Sequence, residues 1–212
     1  MTHNQVVSSI KDTDLVEKRR NQMIQGAITL FKEKGFHRTT TREIAKESGF
    51  SIGTLYEYIR TKEDVLFLVC DAIYEQVGAR LEAAIDWQNP SVATLEKVVA
   101  SYFHLMDDMQ EEVLIMYQEV KSLKKETKAY VMQKERDMVA MLQKVIVTCL
   151  PEPIAERDAA LIANNIFVQG QMWGFRRWML QKQFTLKTYI DRQIHFLLES
   201  LPIDTAADEK LN

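Results

Sequence analysis

Glycine and proline are scarce in this chain, seven and four among 212 residues. So few turn-formers cannot supply the many tight reversals of a β-sandwich or barrel. Only two cysteines occur, Cys70 and Cys149, far apart and outside any CxxC pattern, which excludes a disulfide framework and a zinc ribbon. They read as reduced, buried thiols. No apolar run approaches the ~20 residues of a membrane-spanning helix, and the polar N-terminal stretch lacks a secretory h-region. A cytoplasmic location without a membrane partner is expected. The four histidines, His3, His37, His104 and His195, are scattered without metal-ligand spacing. There is no glycine-rich phosphate loop and no GxSxG elbow. No catalytic residues, metal site or cofactor are expected, and the chain does not read as an enzyme.

What remains is helical material. Hydrophobic residues make up 46% and charged residues 27%, and segments rich in Ala, Glu, Lys, Leu, Gln and Met dominate, which argues for an all-α protein. The net charge of −3 is unevenly spread. Residues 1–62 hold 11 Lys or Arg against 7 Asp or Glu, whereas the remainder holds 16 against 23. A basic head on an acidic body is the electrostatic footprint of a nucleic-acid reader joined to something that does not touch nucleic acid. Ordinary surface variation is the alternative.

Apolar periodicity and punctuation divide the chain into nine helices. The first runs from Leu15 to Lys34 and stops at Gly35, with Phe36 packing back beneath it. Residues 39–48 supply the second and 52–59 the third. Thr61-Lys62-Glu63-Asp64 reads as an N-cap with acids in the first turn, opening a fourth helix that continues to about Asp86. Asn89-Pro90-Ser91 breaks the chain before a fifth. A sixth spans 111–122, a seventh 124–150, an eighth 154–183 and a ninth 186–201. The expected division is a flexible arm at 1–14, a head at 15–62, a body at 63–202 and a flexible tail at 203–212.

The most specific stretch is TTTREIAKESGFSIGTLYEYIRTKEDVL, residues 39–66. Gly49 lies four residues after Ala45, where the chain must turn and positive φ costs glycine least. Leu55 falls ten residues after Ala45 and Tyr58 thirteen, both inward on the next helix. A small residue, a glycine and a later apolar residue at these offsets meet the steric needs of a helix-turn-helix. Ser51, Ile52, Gly53 and Thr54 open its second helix; the short residues among them let the backbone approach a duplex, and two hydroxyls can meet base edges or phosphates. Tyr56 and Lys62 are candidate phosphate contacts, Tyr58 partly packs inward, and Thr40, Thr41 and Arg42 can clamp the opposite phosphate stretch. The alternative is that Ser51 and Thr61 only cap helices and the tyrosines only cover core. Arg19 and Arg20 either reach the duplex or are solvated.

These residues, with FKEKGF before them, resemble the DNA-binding head of tetracycline-repressor-like (TetR/AcrR) regulators over about residues 20–68. The departures are apolar: Ile59 where Phe is common and Phe50 where Val is common. The resemblance implies a two-domain fold and a homodimer reading a palindromic operator with its third helix. It also implies a body that binds a small molecule, so the expected function is a ligand-released repressor. A regulator controlled by a protein partner is the alternative.

In the body, methionines and aromatics offer soft apolar volume. Tyr102, Met106, Met109, Tyr117, Phe167, Gln171, Arg176 and Trp178 are the candidate ligand residues. Plain core packing is the alternative for each. Arg176 and Arg177 lie among aromatics and suit an anion or a salt bridge. With the YQEVKSL stretch at 117–123, the body is loosely similar to the fatty-acyl-CoA-responsive branch, which makes a long-chain acyl-CoA the leading effector. Gly170 and Gly174, one turn apart, permit close helix approach. With Ile190, Ile194, Leu197 and Leu201 they are the candidate dimer residues. Asn164, Asn165, Gln169 and Gln171 line a cavity or seam, or face solvent.

Overall fold

The computed structural model describes residues 13–201. The expected arm and tail lie outside them, except for residues 13 and 14, which begin a helix. Among the described residues there is no strand, and ten α-helices follow one another: α1 Thr13–Lys34, α2 Thr41–Glu47, α3 Ile52–Tyr56, α4 Lys62–Ala84, α5 Val92–Asp108, α6 Gln110–Glu119, α7 Lys125–Cys149, α8 Glu156–Phe175, α9 Arg177–Gln183 and α10 Leu186–Ser200. A single 3-10 turn, Val120–Ser122, joins α6 to α7. The count exceeds the expected nine because the eighth helix breaks at Arg176, whose φ of −105° and ψ of 22° interrupt the helical path. None of these helices is long and apolar enough to cross a membrane.

The helices form two compact units that do not follow chain order. One comprises residues up to Glu75 together with Glu111–Lys134; the other comprises Gln76–Gln110 together with residues from Glu135 onward.

In the first unit, Met23, Ala27, Leu30 and Phe31 form the buried face of α1, and α1 packs on α2. Gly35 adopts φ +80°. That reversal swings Phe36 back so that its ring meets Phe31 edge-on at 5.3 Å. Ile44, Ala45, Leu55, Tyr58 and Ile59 complete the core under α2 and α3. Burying a side chain of this size is worth about 1.5–3 kcal/mol, so this short motif needs its neighbours to stay folded.

In the second unit, α5 packs on α8 and α10. Leu95, Val98, Val99, Tyr102 and Phe103 of α5 are fully buried. The expected cap at Ser91 is present: its hydroxyl accepts from Thr94 N at 3.2 Å. Both cysteines are free and buried. Burial pushes the Cys70 thiol up to about 12, which leaves it inert.

Candidate nucleic-acid interface

Each of the two short helices is started by its own side-chain cap. Thr40 Oγ1 accepts from Glu43 N at 3.3 Å while Glu43 Oε2 accepts from Thr40 N at 2.9 Å, a reciprocal capping box opening α2. The Lys34 ammonium also pairs with Glu43. Hydrogen bonds from Lys34 and Thr40 hold the Glu43 carboxyl at about 2, well below the usual carboxylate range. Ser51 Oγ accepts from Thr54 N at 3.0 Å and caps α3. Between the helices Gly49 takes φ +76°, and Phe50 N returns to Ala45 O at 2.8 Å. Ala45 and Leu55 are both buried, so the glycine turn and the small contact residue work as their spacing predicted.

The opposite side faces outward. Thr40, Arg42, Ser51, Gly53 and Tyr56 are exposed, with Thr41, Ile52 and Thr54 half-buried beside them. Tyr56 is 52% exposed, yet it is not loose: its hydroxyl lies 3.1 Å from Thr41 Oγ1 and ties α3 to the start of α2. Arg19 stacks 4.8 Å from the Phe50 ring centre, while Arg20 is half-buried.

Two of the expected DNA residues are engaged within the protein. Tyr58 lies beyond the end of α3 and is only 2% exposed, because the helix stops at Tyr56 and the chain turns its ring into the core. Lys62 does open α4, but its ammonium folds back to donate to Phe36 O at 2.8 Å and His37 O at 3.2 Å. It also sits 4.4 Å over the Phe36 ring. A four-carbon stem reached two bare carbonyls instead of solvent. Beside it, Asp64 Oδ2 accepts from Arg60 N and Thr61 N at 2.9 and 2.8 Å, and Thr61 Oγ1 accepts from Asp64 N at 3.3 Å. This is the expected cap. Burial pushes the Asp64 carboxyl up, but these N–H groups and the Lys124 ammonium outweigh it and hold it below its usual range.

The body residues are also redistributed. The Tyr102 and Phe167 rings stack at 5.7 Å, and Tyr102 donates its hydroxyl to Phe167 O at 2.9 Å, so these two expected ligand residues fill core space. Met106 on α5 and Met109 at its C-cap are buried, and Gln171 is half-buried. Trp178 is 63% exposed on α9 with the Arg176 guanidinium 5.4 Å from its ring. Tyr117, equally exposed, belongs to the first unit.

Gly170 and Gly174, expected at a dimer seam, serve packing within the chain. A Cβ at Gly170 would enter the Tyr102 ring, and one at Gly174 would lie 3.0 Å from Gln110 Cβ. Ile190, Leu197 and Leu201 are 4–7% exposed in the single chain and Ile194 is half-buried, since the apolar face of α10 rests on its own unit. The exposed apolar residues of α8 and α10 are others: Leu161 at 60%, Val168 at 40% and Phe196 at 55%. Asn164, Asn165 and Gln169 are exposed among them. The seven-residue step from Leu161 to Val168, bracketed by amides, was the available signal for this stripe.

Comparison with known proteins places the chain in a family. Residues 23–69 match the family described as bacterial regulatory proteins, tetR family, and residues 88–179 match the tetracyclin repressor-like C-terminal domain. The chain belongs to the TetR family of DNA-binding transcriptional regulators, a family of regulators rather than enzymes. Over 198 residues it is 28% identical to the HTH-type transcriptional regulator HbdR of Aromatoleum sp. (strain CIB), covering 92% of this chain and 85% of that one. A regulatory protein in the tetR family from Rhodococcus RHA1 has the same fold, with TM-score 0.74 at 22% identity over 86% of this chain and 96% of that one. So does AibR, solved in complex with isovaleryl coenzyme A and operator DNA, with TM-score 0.69 at 19% identity over 84% and 97%.

Proposed function

We propose that this regulator is a homodimeric repressor that sets the start of α3 in the major groove of a palindromic operator and is released by a hydrophobic effector, with a long-chain acyl-CoA as the leading chemistry. The observation that carries the reading is α3 itself. Ser51, Gly53 and Tyr56 are exposed around a helix start whose other side, Leu55 and the following Tyr58, is sealed in the core. Such an arrangement brings backbone and short hydroxyls to base edges while Arg42, Thr40 and Thr41 meet phosphates. Leu161, Val168 and Phe196 support pairing of two chains through α8 and α10, because bare apolar side chains of this size call for a partner. A two-fold protein then matches a two-fold operator.

The acyl-CoA reading draws support from AibR, whose structure holds a CoA thioester and operator DNA together. In this chain an acyl group would have to part the Tyr102–Phe167 stack among the adaptable methionines Met106 and Met109, with Arg176 and Trp178 exposed for the polar end. The filled stack favours a second reading, a regulator controlled by a protein partner with no small effector. One titration separates them. Fluorescence anisotropy against genomic duplex fragments in rising salt should give a steep loss of affinity, with log K falling about 0.9 per phosphate contact per decade of salt. Added acyl-CoAs of graded chain length should then release the complex. Release by none of them leaves the partner-controlled reading; salt-insensitive or absent DNA binding defeats both.

A further inference from the structure

Two turns flank the reader formed by α2 and α3: residues 35–40 before it and residues 57–61 after it. One short segment of the same compact unit grips both. Glu119, at the end of α6, places Oε2 3.3 Å from His37 Nε2 in the leading turn, and its side chain is only 15% exposed. Ser122 Oγ also donates to that Glu119 oxygen at 3.4 Å, which holds the carboxylate in place. Five residues later Lys124 Nζ donates to Asp64 Oδ1 at 3.1 Å. The other oxygen of Asp64 holds Arg60 N and Thr61 N, so Lys124 grips the very group that fixes the backbone where the chain leaves the reader. The 3-10 turn between the two grips is pinned by Leu123, which is buried. A rigid spacer with a charge at each end therefore spans from one turn to the other.

We propose that Glu119 and Lys124 are positioning residues for operator binding: they set the angle of α2–α3 by fixing both of its flanking turns, without touching DNA. This rests on the operator reading above. Each contact has one exposed side chain, His37 at 70% and Lys124 at 52%, so either alone would contribute little. Their weight comes from Asp64, a carboxylate with 12% side-chain exposure that already carries two backbone bonds, so its orientation is transmitted to the turn.

The test uses full-length protein carrying Lys124→Met or Glu119→Gln, with Lys124→Arg as the conservative restoration. Affinity is measured by anisotropy over a salt series, for the operator and for one whose half-sites are a base pair further apart. Lys124→Met and Glu119→Gln should each weaken binding roughly 5- to 30-fold, which is ~1–2 kcal/mol at about 1.4 kcal/mol per tenfold. The slope of log K against log salt should stay unchanged, because no phosphate contact is lost. Discrimination against the lengthened operator should fall, and Lys124→Arg should restore both. Affinities within twofold of the parent for both variants overturn the proposal. So does a slope reduced by about one for Lys124→Met, which makes Lys124 a phosphate contact. A loss that disappears after correction for folded fraction, with spacing discrimination intact, also overturns it by making the pairs merely stabilising. If Lys124→Met fails to fold, Glu119→Gln and Lys124→Arg decide alone. A parent that binds no duplex defeats the operator reading and the clamp together, whereas a binding parent with unaltered variants defeats the clamp only.

Discussion

A tyrosine in an amphipathic helix is legible as an inward residue, but its sequence neighbours do not say what it will meet. Tyr102 shows the difference: its sequence setting suits a ligand contact, yet its ring stands over Gly170 and its hydroxyl reaches a carbonyl on α8. Gly170, read as a site for another subunit, is small for the sake of that ring. Lys62 is ambiguous for a related reason, since a long flexible stem serves a phosphate or a pair of carbonyls equally well, and in the folded chain it meets carbonyls. The Tyr102–Gly170 contact is directly measurable. Tyr102→Phe should cost about 1 kcal/mol by removing one buried hydrogen bond. Gly170→Ala should cost about 1–3 kcal/mol, because the ring cannot retreat in a full core. Urea denaturation of both variants checks the order; an unchanged Gly170→Ala midpoint would contradict the close approach.

Helices were far more legible than contacts because caps and breakers are local. Thr61 with Asp64, Ser91 with Thr94, and Gly35 all act where the sequence placed them. The misses have local causes too. Residues 57–59 carry an apolar pattern that reads as helix, but Tyr58 and Ile59 are buried as a turn. The break at Arg176 has no proline to announce it. The caps also make a pH prediction. Glu43 sits at about 2 against an ordinary 4.5, and Asp64 is likewise lowered. A depressed carboxyl contributes stability that is fully present above its unfolded pKa and lost as pH falls through its folded one. Thermal melts should therefore be level above about pH 4.5 on this account and decline as pH falls towards 2. Glu43→Gln should flatten that decline, and because the Glu43 side chain is 44% exposed, added salt should flatten it as well. A decline unaltered by Glu43→Gln would remove this carboxyl from the explanation.

At the scale of the whole molecule, periodicity is blind to chain order. The contiguous division expected from the sequence placed a boundary after residue 62; the compact units instead bring residues 111–134 to the reader's side. The bonds responsible are long-range: Tyr130 donates to the buried Asp71 at 2.8 Å, Phe67 meets Tyr130 edge-on at 5.4 Å, Lys134 pairs with Glu75, and Lys124 pairs with Asp64. No local spacing encodes them. A fragment ending at residue 75 should accordingly melt at lower temperature and less cooperatively than the same unit in the full chain, as read by circular dichroism. A fragment that matched the full chain would show that 111–134 adds nothing to this unit.

The discontinuity has a bearing on exchanging parts between regulators. A hybrid that grafts residues 1–75 onto a foreign sensing module severs Glu119 and Lys124 from the turns they grip, so the transplanted reader inherits whatever occupies those places in its new host. Hybrids built with residues 111–134 included should keep the parental operator choice, and those built without them should drift towards the host's spacing.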